Sequence, residues 1–116
     1  MEFQRQIVFF RAYFRDFIDS LPKKVREKID VVLYTVSVAP RIPMKFFQHV
    51  SGTDGLYEIR VEFESNIYRI FCCFDKGKIV VIFNGFQKKS QKTPKTEIDK
   101  ALKIKEEYFN QKEMKQ

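Results

Sequence analysis

A lysine-rich segment follows the apolar run at residues 79–83 and is the part of the chain best suited to bind an anion. It holds four lysines and no acidic residue within eight positions: Lys88, Lys89, Lys92 and Lys95. Ammonium groups at this density are typical of a surface that binds a polyanion, nucleic acid above all and a membrane surface second. A solvated loop that aids solubility is the alternative explanation for such a charge run.

Two arginines occur inside predicted strands rather than in loops. Arg60 closes the segment LYEIR, and Arg69 lies in the segment YRIF. A planar guanidinium matches two phosphate oxygens and stays charged, so both side chains suit a phosphodiester and the charge that develops on it during cleavage. A salt-bridge ladder with Glu58 and Glu62 on a solvated sheet face is the alternative for Arg60.

Proton transfer needs other groups, because arginine is a poor proton donor and acceptor. A lysine of the basic segment with a lowered pKa, or a carboxylate such as Glu62, could fill this role. His49 is the only histidine, and together with two cysteines it cannot supply a zinc-type ligand set. If the protein cleaves RNA, we therefore expect the 2′-hydroxyl of the RNA to be the nucleophile. The products would be a 2′,3′-cyclic phosphate and a 5′-hydroxyl.

The two cysteines, Cys72 and Cys73, are adjacent in a predicted strand, so their side chains should point to opposite faces of the sheet. This geometry argues against a disulfide between them and indicates a reducing compartment. Their apolar neighbours favour a role as core residues over a redox centre.

The surrounding hydrophobic pattern predicts the elements that position these side chains. A short strand at residues 6–10 precedes a helix at about 11–20 and a second helix that has Pro22 in its first turn and is ended by Pro40 and Pro43. Three strands follow at residues 56–64, 67–75 and 78–86, and Thr93 and Pro94 are expected to cap a last helix that ends near Lys112. The order β-α-α-β-β-β-α predicts an α+β fold with about four antiparallel strands and helices on one sheet face.

The predicted turns set the register of the strands. A loop centred on residues 65 and 66 would place Arg60 opposite Phe71 and Glu62 opposite Arg69, so that both arginines share one face. The next turn, at residues 76 and 77, would place Asn84 beside Arg69, with Lys88 following on the same side. We therefore expect an open sheet face that carries both arginines, Asn84 and Lys88. An aromatic side chain such as Tyr57 or Phe86 could stack an RNA base there, or could pack in the core.

The length and composition fit a single domain over residues 1–116. Hydrophobic residues make up 44% of the chain and include 13 phenylalanines, which excludes a disordered protein. The formal net charge is +7, no apolar run is long enough to span a membrane, and the N-terminus lacks the pattern of a secretory signal. A cytoplasmic location is therefore expected.

Several of these segments resemble the phage-derived, HigB-like branch of the RelE toxin superfamily. The resemblance is carried by LYEIR at residues 56–60, YRIF at 68–71 and NGFQKKSQKTP at 84–94, and it extends over roughly residues 3–110. Ser90 stands where threonine is usual in that family. Several relatives also place a tyrosine or histidine near the end of the site, and this chain has neither between Lys88 and Glu107.

The resemblance implies the toxin of a bacterial type II toxin–antitoxin pair with a RelE-like fold. Such toxins cleave messenger RNA on the ribosome without a metal or small-molecule cofactor, and a helix-turn-helix antitoxin neutralises them. Carried over by position, it implies Arg60, Arg69 and Lys89 as catalytic residues. Contacts to RNA would come from Lys88, Lys92, Lys95 and Asn84.

Two other functions remain open from the sequence. One is a non-catalytic module that binds RNA or ribosomes through the same basic face. The other is a structural partner whose basic groove holds an acidic peptide.

Overall fold

A computed structural model describes residues 3–114 as one mixed sheet with three helices. One strand precedes the first two helices along the chain, and the other four strands lie between the second helix and the third. In chain order the elements are β1 (Gln6–Phe9), α1 (Tyr13–Ile18), α2 (Lys23–Val38), β2 (Phe47–His49), β3 (Tyr57–Phe63), β4 (Asn66–Asp75), β5 (Ile79–Lys88) and α3 (Lys95–Met114). The predicted α+β class and element order are confirmed, with the short strand β2 as an addition.

The five strands lie in the order β1-β5-β4-β3-β2. β1 pairs with β5 in parallel, so the prediction of an antiparallel sheet is wrong at this edge, because the two helices between β1 and the hairpins let the chain cross over before it returns to the sheet. The other three pairings are antiparallel, as expected. The strand β2 escaped the sequence analysis because it has only three residues, where His49 pairs with Tyr57 and Phe47 with Ile59. The two hairpins β3–β4 and β4–β5 thus form the centre of the sheet and position both strand arginines.

Helices cover both faces of this sheet, so the prediction that they would all cover one face is wrong. One core layer joins α1 and α2 to alternate residues of β3, β4 and β5, among them Ile70 and Cys72. A second layer joins Ala101 and Ile104 of α3 to the opposite face, where Cys73 lies. The central strands carry apolar residues on both faces over much of their length, and α3 needs such a surface for its own apolar stripe.

The two free cysteines confirm the expected alternation. Cys72 packs in the α1–α2 layer and Cys73 in the α3 layer, and both are buried. Burial raises the pKa of the Cys72 thiol well above its usual value and that of Cys73 to about 11. Thiols of this kind are core residues, as the sequence indicated.

The last turn of α2 is fixed by an arginine from outside the helix. Arg5 donates from Nη1 to the carbonyls of Val36 and Ala39, at 3.0 and 2.7 Å, and from Nη2 to the carbonyl of Pro40 at 3.1 Å. These bonds satisfy carbonyl groups that have no partner within the helix. Within residues 3–114, no helix combines the length and apolarity that crossing a membrane requires.

Candidate nucleic-acid interface

The turn between β3 and β4 sets the position of the two strand arginines. Glu64 and Ser65 both have positive φ, at 48° and 68°, which is the backbone of the tight two-residue hairpin turn whose twist matches the strands. The strands therefore pair two residues away from the predicted register, and Arg60 lies directly opposite Arg69. The predicted register was wrong because it placed the turn one residue too late. Both arginines still share one face, as expected.

The two arginines differ in exposure. The Arg60 side chain is 28% exposed, whereas that of Arg69 is only 2% exposed. Arg69 is therefore not on an open sheet face, as the sequence analysis expected, but is buried at the base of a cleft. Its Nη1 donates to the backbone carbonyl of Tyr68 at 3.2 Å, and its Nε has no hydrogen-bond partner among the described residues.

Glu58 is the acidic residue nearest to this pair. Its Oε1 lies 3.5 Å from Nε of Arg69 and 3.7 Å from Nε of Arg60. Its Oε2 accepts a long hydrogen bond of 3.4 Å from the hydroxyl of Thr93. Thr93, expected to cap α3, thus bonds to the sheet instead. From the sequence, Glu58 is expected only as a ladder partner for Arg60, because its link to Arg69 depends on the register.

The charges of the site act on one another. Burial lowers the pKa of the Arg69 guanidinium, and the positive charge of Arg60 lowers it further, while Glu58 and Glu62 act in the opposite direction. Burial, and after it the charge of Arg69, lowers the pKa of Lys88. The site therefore concentrates positive charge in a partly dehydrated place, where an anion is bound more strongly than on an open surface.

A bulge in β5 changes the neighbours of Arg69. The pairing of β4 with β5 shifts between Ile70 and Cys72, so that Phe86, not Asn84, lies opposite Arg69. Asn84 is 3% exposed, and both polar atoms of its amide lack hydrogen-bond partners among the described residues. The prediction of Asn84 beside Arg69 was wrong for two reasons: the loop between β4 and β5 has three residues, 76–78, rather than two, and the bulge adds one further residue of shift.

The cleft above Arg69 has a volume of about 530 Å³. Its walls come from the β3–β4 turn, the facing strand residues and the start of the lysine-rich segment: Arg60, Glu62, Ser65, Asn66, Ile67, Arg69, Lys88, Lys89, Ser90 and Gln91. Lys92 and Lys95 are exposed and do not line it. The structure therefore brings together four of the predicted basic site residues and leaves Lys92, Lys95 and Asn84 outside the cleft.

The aromatic candidates for base stacking have partners within the protein. Phe86 stacks on Phe71 with ring centroids 5.7 Å apart. Tyr57 stacks on Phe47 with centroids 5.1 Å apart and meets Phe74 edge-on. Of the two open alternatives, core packing is the one that the structure supports for both rings.

A larger groove of about 700 Å³ lies between β1 and α2. Phe3, Ile7, Phe9 and Leu33 line it, and its character is apolar. The basic side chains converge on the smaller cleft instead. The arginine cleft is therefore the candidate site for a polyanion.

The model of one protein family, described as phage-derived Gp49-like proteins, matches residues 16–106. The chain belongs to this family. No curated protein matches the chain. The Gp49-like family is toxin-like and related to RelE, and the matched range contains both strand arginines together with the whole lysine-rich segment. The segments that carry the sequence resemblance thus lie within the residues that the family model matches.

Proposed function

We propose that this Gp49-like protein is the toxin of a type II toxin–antitoxin pair, of the HigB-like kind, and that it cleaves messenger RNA on the ribosome. The observation that supports this best is the cross-strand pair Arg60 and Arg69 at the base of a cleft that Lys88 and Lys89 also line. Four basic side chains around one cleft suit a phosphodiester. We further propose that the protein acts in the cytoplasm and that an antitoxin with a helix-turn-helix domain neutralises it.

In this proposal the chain's own side chains divide the work. Arg60 and Arg69 hold the scissile phosphate and stabilise its developing charge. Glu62, exposed at the cleft, takes the proton from the 2′-hydroxyl of the RNA as the 2′-oxygen attacks phosphorus. The bond to the 5′-oxygen breaks, and Lys88 or Lys89 donates the proton that this oxygen needs. A lowered pKa makes Lys88 a better proton donor than an ordinary lysine.

Lys92 and Lys95 contribute differently, because they are exposed outside the cleft. They extend the positive surface along the path of the RNA and add affinity without touching the scissile bond. Each phosphate contact of this type adds somewhat less than one unit to the slope of log affinity against log salt concentration.

The experiment is cleavage in a translating bacterial extract, with transcript 5′ ends mapped after addition of the purified protein. We expect new 5′-hydroxyl ends, and 2′,3′-cyclic phosphate on the upstream fragments. Arg69→Gln should abolish them, whereas Arg26→Gln removes the same charge from an exposed position of α2 and should leave them unchanged. A 3′-hydroxyl product, or cleavage that survives Arg69→Gln, would contradict the proposal.

A non-catalytic RNA- or ribosome-binding module is the second candidate. One observation favours it: the described residues that line the cleft include no histidine or tyrosine, the side chains that several RelE relatives use near this position. The same extract separates the two functions. Ribosome association that depends on Arg69 but produces no new transcript ends would identify the binding module.

A further inference from the structure

Glu58 lies behind the arginine pair rather than in the cleft. It is absent from the residues that line the cleft, and its side chain is 12% exposed. In the sheet Glu58 lies opposite Phe71, and this is the next pair to Arg60 and Arg69 on the same face. Its carboxylate therefore contacts both guanidiniums from outside the cleft that we assign to the phosphate.

Both contacts are made to the same atom type. Glu58 Oε1 is 3.5 Å from Nε of Arg69 and 3.7 Å from Nε of Arg60, so one oxygen serves the inner nitrogen of both guanidiniums. A carboxylate on the Nε side of a guanidinium leaves the terminal nitrogens on the other side for further partners. The contacts are ion pairs rather than hydrogen bonds, and they draw the inner side of both guanidiniums toward one carboxylate, while Nη1 of Arg69 bonds to the Tyr68 carbonyl.

A like-charge pair at directly opposite sheet positions is unfavourable unless something offsets it. Glu58 offsets the repulsion between Arg60 and Arg69, and its charge acts against the loss of the Arg69 proton. The Thr93 hydroxyl holds the second carboxylate oxygen at 3.4 Å and so ties Glu58 to the end of the lysine-rich segment. The carboxylate is thus restrained on two sides.

We infer that Glu58 is a positioning residue, which holds the guanidiniums of Arg60 and Arg69 in the orientation that a scissile phosphate requires. The inference rests on the proposed RNA cleavage at this cleft. It gives Glu58 no contact with the substrate and no part in proton transfer. It also separates the two glutamates of β3, because Glu62 lines the cleft and Glu58 does not.

The test is Glu58→Gln, which keeps the shape of the side chain and removes its charge. Loss of a negative charge beside a phosphate site should leave RNA binding unchanged or tighter. Loss of the orientation should lower the cleavage rate at saturation by roughly 10- to 100-fold. Glu106→Gln, which removes the same charge from an exposed position of α3, is the matched control for net charge.

A second measurement reports the order of the Arg60 side chain directly. The ¹⁵N–¹H signal of the Nε–H group of Arg60 reports its motion on the picosecond-to-nanosecond timescale. In the wild type this group should be ordered, although the side chain is 28% exposed, because Glu58 holds it. In Glu58→Gln the order should fall, whereas in Glu106→Gln it should not.

A slower saturating rate with undiminished affinity, together with loss of order at Arg60, would support the inference. An unchanged rate, an unchanged Arg60 signal, or a parallel loss of rate and affinity that follows a loss of folded protein would overturn it. If the wild type itself does not cleave RNA, the proposed function fails. The inference is then decided by the Arg60 signal alone, where retained order in Glu58→Gln would still overturn it.

Discussion

Arg69 is expected to lower the stability of the protein that carries it. Its side chain is 2% exposed and lies opposite a second arginine, and its Nε lacks a hydrogen-bond partner among the described residues. Burial and the neighbouring charge both lower its pKa, which means that folding disfavours the charged form. This unfavourable contribution is fully present at every pH below the lowered folded-state pKa of Arg69, where the guanidinium is charged in both the folded and the unfolded protein.

The size of the effect follows from what is lost and gained on replacement. Replacing a buried ion pair by well-packed hydrophobic residues of similar volume is often neutral or stabilising, by up to about 4 kcal/mol. We expect the double variant Arg69→Met/Glu58→Gln to exceed the wild type in free energy of unfolding by about 1–2 kcal/mol. The single variant Arg69→Met should be less stable than the double variant, because Glu58 then keeps only Arg60 and Thr93 as partners.

Urea unfolding followed by far-ultraviolet circular dichroism measures these free energies without the screening that a guanidinium salt would add. Arg5→Met is the matched contrast, since Arg5 makes three hydrogen bonds to the end of α2. Its removal should destabilise the protein by about 2 kcal/mol. If the double variant at the cleft proved less stable than the wild type by a similar amount, Arg69 would be a structural residue and the reasoning would be refuted.

Three further predictions concern the fold. Hydrogen bonds from Lys112 and Tyr108 lower the pKa of Asp75, so its contribution to stability is present above the unfolded-state pKa near 3.8 and is lost as the pH falls through the lower folded-state value. The difference in urea midpoint between wild type and Asp75→Asn should therefore shrink between pH 7 and pH 3. A constant difference would contradict this. Gly85→Ala should destabilise by about 1–3 kcal/mol, because a Cβ there would lie 2.5 Å from the Phe17 ring, and Phe17→Leu should recover part of the loss in a thermal melt. Burial and the raised pKa of the Cys72 and Cys73 thiols predict that both resist a thiol reagent at pH 8 until urea unfolds the chain, so rapid labelling of the folded protein would be inconsistent with the core.

The elements of the fold could be read from the sequence where the pattern is long. The β3 alternation of Ile59, Val61 and Phe63 predicted which face is apolar, and the apolar stripe of α2 predicted a helix between Pro22 and Pro40, which the structure has at Lys23–Val38. The short strand β2 carries too little pattern to be recognised in three residues. The side of the sheet that α3 covers depends on packing between distant segments, which a local pattern does not contain.

The candidate site, like the fold, could be predicted from the sequence only in part. Residue types and alternation were enough to place Arg60 and Arg69 on one face, because parity along a strand survives a register error of two residues. The positive φ of Glu64 and Ser65, the bulge beside Asn84 and the burial of Arg69 are properties of the folded chain. They determined which acid meets the arginines and which predicted residues fall outside the cleft.

The central claim is that Arg60 and Arg69 together hold one phosphate, and side-chain NMR tests it most directly. A short RNA with 2′-O-methyl groups, which block self-attack, would be titrated into ¹⁵N-labelled protein. The Nε–H signals of Arg60 and Arg69 should shift together with one dissociation constant, and phosphate-free nucleosides should leave them unmoved. Shifts confined to the backbone around Lys92 and Lys95, with both arginine signals unchanged, would contradict the account.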